Sequence, residues 1–152
     1  MRSLAICTLL LAVAASGAAR DESIDELKAR AQNALPQDRP SLCVQIAERQ
    51  LRSADKLFKD GDVELGRAAV EDIVVYSEKA RDSAIETKKH LKNVEIAVRK
   101  IAERLRDLKR TLSFEDQPAV ERAVQRLEEV RTTLLKQMFG KEKEKEKEKE
   151  KK

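Results

Sequence analysis

From residue 63 onward, mostly apolar positions return every third or fourth residue in an unbroken alternation. Positions 63, 66, 70, 73, 77, 80, 84, 87, 91, 94, 98, 101, 105, 108 and 112 keep this alternation. Twelve of the fifteen are apolar, with Gly66, Ser77 and Thr87 the exceptions. No proline falls in the run, and its one glycine, Gly66, lies in the first turn. Spacing sustained this way predicts one long helix over 63–112 with a coiled-coil-like seam. Such a spine would be roughly 75 Å long, at about 1.5 Å per residue. Ile73, Val74, Val75 and Tyr76 alone resemble a strand, but their neighbours obey helical spacing, so the stretch reads as helix covered on more than one side. The competing architecture breaks the spine near Glu86–His90 and collapses it into a compact bundle. With no Gly or Pro there, the unbroken helix is the preferred reading.

Three shorter helices surround it in sequence. Ser23-Ile24-Asp25-Glu26 is a capping box opening a helix over 23–34, with Ile24, Leu27, Ala31 and Ala34 on one face. Pro36 and Pro40 oppose its continuation. A second helix, 41–59, carries Val44, Ala47, Leu51, Ala54 and Phe58 as its stripe. It stops at Gly61, suited to a left-handed cap, and Asp62 offers an N-cap to the spine. The last helix, 117–138, starts beside Pro118 and carries Val120, Ala123, Val124, Leu127, Val130 and Leu134 before Gly140 closes it. Short connections make consecutive helices antiparallel neighbours. The second helix then covers the first half of the spine and the last helix the other half. The expected fold is all-α: an elongated, antiparallel, coiled-coil-like bundle with a ~50-residue spine.

The turn sequence ADKLFKDGDVELGRAAV, residues 54–70, resembles the turn of a tetratricopeptide hairpin, with Ala54, Phe58, Gly61 and Asp62 in matching places. The likeness covers one turn. A tetratricopeptide array repeats units of about 34 residues with short second helices, so no peptide-binding residue is transferred here.

The two ends change the picture of where the protein works. Arg2, the apolar run Leu4–Ala14 and the small residues Ala15–Ala19 have the order of a secretory leader, predicted over 1–19. The run is shorter than the ~20 residues of a spanning helix. The tail over 141–152 alternates Lys and Glu, so pairs three apart attract while pairs four apart repel. It is expected to be a disordered extension with at most weak contact to envelope polymers. The chain carries a formal charge of +4. Leader and tail hold three of those charges, leaving +1 on residues 20–140. A near-neutral body removes the main argument for nucleic-acid binding.

Composition also limits the chemistry. Charged residues make up 39% and aromatics 3%, as suits helices with narrow apolar seams. Beyond the leader the chain has one cysteine, Cys43, and one histidine, His90, whereas a structural zinc site takes four ligands. Cys43 reads as a small buried hydrophobe, with an intermolecular disulfide as the sharper alternative. His90, beside Lys88 and Lys89, reads as solvated. No catalytic residue, metal or cofactor is assigned.

One charged column stands out on the spine. Steps of seven give Glu64, Glu71, Glu78, Ile85, Lys92, Arg99 and Arg106. Two antiparallel copies with Ile85 on Ile85 would match acid to base along it, as a twofold homodimer does. These residues are the candidate self-association face. The expectation is an exported, non-catalytic helical interaction or structural protein of the cell envelope, with protein partners and a possible homodimer. The alternative is a periplasmic holdase or adaptor, whose client groove would be the apolar stretch Ile73–Tyr76.

Overall fold

The computed structural model describes residues 22–150, with side chains described through Gly140. The expected leader lies outside the described residues, and so do the side chains of the Lys/Glu tail. The described chain is all-helical: α1 (Ile24–Asn33), α2 (Arg39–Asp60), α3 (Val63–Thr87), α4 (Leu91–Thr111) and α5 (Gln117–Glu150).

Local chemistry sets most of these ends. The Ser23 hydroxyl accepts from the Glu26 N–H at 3.1 Å, and the Ser23 N–H donates to the Glu26 carboxylate at 2.8 Å, closing the capping box that opens α1. Pro40, beyond the end of α1, lies in the first turn of α2, where its missing N–H is an orphan in any case. Gly61 ends α2 in the left-handed conformation at φ 85°, its N–H donating to the last α2 carbonyls. Asp62 stands at the N-cap of α3 but its side chain makes no capping hydrogen bond. Gly66 brings α3 close to α2, since a Cβ there would stand 3.0 Å from the Phe58 ring.

The 50-residue spine is not formed. Lys88 and His90 both adopt left-handed backbone, at φ 55° and 62°, and the chain turns back between α3 (25 residues) and α4 (21 residues). Neither is glycine, so the turn is strained on its own and exists because of what it permits. α4 folds back and buries Val94, Val98, Ile101, Leu105 and Leu108 against α2 and α5. In an extended spine those side chains would depend on α5 alone. Burying each large apolar side chain contributes about 1.5–3 kcal/mol, more than two strained residues cost. The expected 3-4 seam nevertheless supplies the core of both helices, with Val70, Ile73, Ala80 and Ala84 buried on α3.

The tiling of a spine by helices two and four is corrected in the same way. α2 packs along α3 and also against α4, and α5 packs against both α4 and α3. α3 and α4 therefore face each other across the bundle, flanked by α2 on one side and α5 on the other. Ion pairs fix the directions. Arg67–Asp116 (2.6 Å) and Glu78–Arg126 (2.5 Å) align α5 parallel to α3. Arg106–Glu128 (2.5 Å) and Arg131–Glu95 (3.0 Å) set it antiparallel to α4. α1 lies on α2 and reaches α3 through Asp72, which receives Lys28 Nζ and Gln50 Nε2, each at 2.6 Å.

Candidate functional site

α2 and α4 run side by side in the same direction and leave an open groove between them. Half-buried Leu51 and the buried Ile101 and Leu108 make its apolar floor. Two depressions of about 380 and 410 Å³ share Leu51, Arg52 and Arg104, so the groove is continuous. The seam pattern places this floor: Ile101 and Leu108 point inward, and Lys100, Arg104, Asp107 and Thr111 form the α4 rim.

The rim is charged and unevenly matched. Lys59 pairs with Asp55 at 2.6 Å, and Asp107 pairs with Arg110 at 3.0 Å. Arg52, Lys100 and Arg104 are exposed and carry no ion pair among the described residues, facing a single unpaired carboxylate, Glu48. An apolar floor with surplus cations above it suits an amphipathic segment bearing acids on its flanks.

The candidate self-association residues are divided by the turn. Glu64, Glu71, Glu78 and Ile85 lie on α3, whereas Lys92, Arg99 and Arg106 lie on α4. Glu64 pairs with Arg67 on its own helix at 2.8 Å. Glu78 is engaged by Arg126 and Arg106 by Glu128, so both hold α5 in place. Ile85 is half-buried and packs against the core. Glu71, Lys92 and Arg99 remain exposed. The antiparallel register needed one straight helix through all seven, and the turn at 88–90 separates them onto opposite sides of the bundle.

α3 faces outward with a stripe of its own. Glu64, Glu71, Val75, Asp82 and Glu86 follow at helical spacing and all are exposed, Val75 at 37%. Ala68 lies in the same stripe, and one base, Lys79, is exposed alongside it. Lys79 at its edge turns aside, with its ammonium 4.7 Å from the Tyr76 ring centroid. In total α3 holds six acids and three bases, and α4 three acids and seven bases.

A third depression, about 440 Å³, lies between α1, α2 and α3 near Cys43, Tyr76, Lys79 and Ser83. Cys43 is a free thiol, 1% exposed, and burial pushes it above the ordinary thiol range. Its place is that of the small buried hydrophobe expected from the sequence. His90 is exposed on the turn, as expected beside two lysines.

Sequence reasoning missed Arg52, Lys100 and Arg104. Lys100 and Arg104 do show as a basic flank one position before the seam residues Ile101 and Leu105. Nothing in the sequence pairs that flank with α2, because only the fold-back brings α4 alongside it. Among the described residues no group of three His, Cys, Asp or Glu side chains is placed to hold a metal ion, and no helix is long and apolar enough to cross a membrane. Compared with protein-family models, curated proteins and solved structures, the chain finds no match.

Proposed function

We propose that this protein is an exported helical interaction protein of the cell envelope that works by contact rather than by catalysis. Export rests on the leader-like order of charge, apolar run and small residues over 1–19. The observation that supports contact is the α2–α4 groove, where Leu51, Ile101 and Leu108 lie beneath the unpaired Arg52, Lys100 and Arg104. Unpaired cations around an apolar floor leave binding energy that the fold itself does not use. The holdase alternative loses its expected surface, since Ile73, Val74 and Tyr76 are buried and only Val75 of that stretch is exposed.

The test is a photo-crosslinking residue at Arg104 in the exported chain, with the same residue at exposed Glu129 on α5 as control. A discrete adduct from Arg104 alone, in the envelope fraction, is the expected result. Equal adducts at both positions, or none, would remove the groove as the working surface. Accumulation of the chain with its leader uncut inside the cell would remove the envelope setting.

A further inference from the structure

We infer that the α2–α4 groove is filled by the outer face of α3 from a second copy of this chain, so that copies join head to tail. This deepens the interaction reading above and rests on it. Three observations carry it.

First, the charges are complementary. The α3 stripe presents Glu64, Glu71, Asp82 and Glu86 against one base, Lys79, and the groove presents the unpaired Arg52, Lys100 and Arg104 against unpaired Glu48, beside the paired Asp55 and Asp107. Glu71 and Glu86 have no ion pair among the described residues, so the surplus is free on both sides. Second, the apolar parts match. Val75 stands midway between Glu64 and Glu86, with Ala68 beside it, and both are exposed. Seated in the groove, Val75 would rest on Leu51 and Ile101 while the acids four residues before and seven after reach the rim. Third, the stripe is longer than the groove and can fill it end to end. The stripe from Glu64 to Glu86 spans roughly 33 Å, enough to run the length of a groove that covers about 17 Å of α4.

The geometry also fixes the kind of assembly. α3 and α4 face each other across the bundle, so their outer faces point in opposite directions. A copy that gives its α3 face keeps its own groove open, and the reverse. Such a contact is heterologous and does not close into a twofold dimer.

The experiment uses the chain from residue 20, which contains every described residue, in sedimentation and light scattering at low and high salt. Wild type should show a mass that climbs with concentration past two copies at low salt. It should return to monomer near 1 M salt, where screening shortens to about 3 Å. A face variant, Glu71→Gln with Asp82→Asn, and a groove variant, Arg52→Gln with Arg104→Gln, should each be monomeric with unchanged helical content. Mixed in equal amounts they retain one working groove and one working face, and should form a discrete one-to-one pair. A monomeric wild type at both salts overturns the inference, as does a variant that assembles like wild type or a mixture that stays monomeric. If wild type is monomeric and the Arg104 crosslink captures a different protein, this inference fails and the interaction reading stands. If no adduct forms either, both fail.

Discussion

Arg131 on α5 donates through Nε to the Glu95 carboxylate on α4 at 3.0 Å, and Glu95 is the one charged side chain among the described residues that the fold buries, at 8% exposed. The same guanidinium donates through a second nitrogen to Glu128 at 2.8 Å, and Glu128 receives Arg106 from α4 at 2.5 Å. Two acids and two bases thus join α4 to α5 beside the start of the helix that folds back.

Arg131→Ala leaves Glu95 buried without its partner. Removing one member of such a pair costs more than the pair contributes, about 3 kcal/mol. Chemical denaturation should show that loss, and Glu95→Leu in the Arg131→Ala background should recover most of it. A double variant as unstable as the single one would mean that Arg131 acts through packing of its stem instead.

Glu128 gives the fold a dependence on acid. Burial alone would raise its carboxyl, but the Arg106 hydrogen bond and the nearby Arg131 charge outweigh burial and hold it below the ordinary glutamate range. A depressed carboxyl contributes stability that is fully present above the unfolded value, about 4.3, and is lost as pH falls through the folded one. Glu128→Gln should therefore be less stable than wild type at pH 7, by about 1 kcal/mol or less for so exposed a group. The two should converge in unfolding measurements once pH has fallen through the folded-state value of Glu128. A gap that persists unchanged into acid would assign the loss to shape rather than charge.

The turn at Lys88 and His90 should tighten when its strain is relieved. Left-handed backbone costs a non-glycine residue about 1 kcal/mol, so Lys88→Gly is expected to raise stability by about that amount. For a domain of this size the gain is about 4 °C in Tm. Lys88→Val, β-branched in the same conformation, should lower it. Should Lys88→Gly destabilise while Lys88→Val is neutral, residues 63–112 would be continuous helix, and the fold-back would be wrong.

Ser77 occupies a seam position, 1% exposed, and its hydroxyl has no hydrogen-bond partner among the described residues. A buried hydroxyl without a partner costs about 1–3 kcal/mol against an apolar group of similar size. Ser77→Ala should accordingly raise the denaturation midpoint without changing the slope. A drop would mean that the hydroxyl is satisfied by the α3 backbone or by water.

Much of this architecture is written in short-range chemistry. The Ser23–Glu26 box, the left-handed Gly61 and Pro118 in the first turn of α5 each act within a few residues, so they mark element ends in the sequence as they do in the fold. The seam is legible for the same reason, since helical spacing dictates which side chains share a face, and its positions from Val70 to Ala84 and from Val94 to Leu108 lie buried. Spacing reports which face is apolar, and it is silent on what covers that face. The 3-4 pattern continues through Thr87 and Leu91 as if no turn lay between them, and no Gly or Pro marks the break. Only the gain from packing α4 against both α2 and α5 decides that Lys88 and His90 accept strained backbone. The groove of Arg52, Lys100 and Arg104 follows from that decision, as does the parting of the acid and base halves of the Ile85 column. Local order was set by the sequence acting within single turns; the fold-back, and every surface that depends on it, was set by burial summed over helices far apart in the chain.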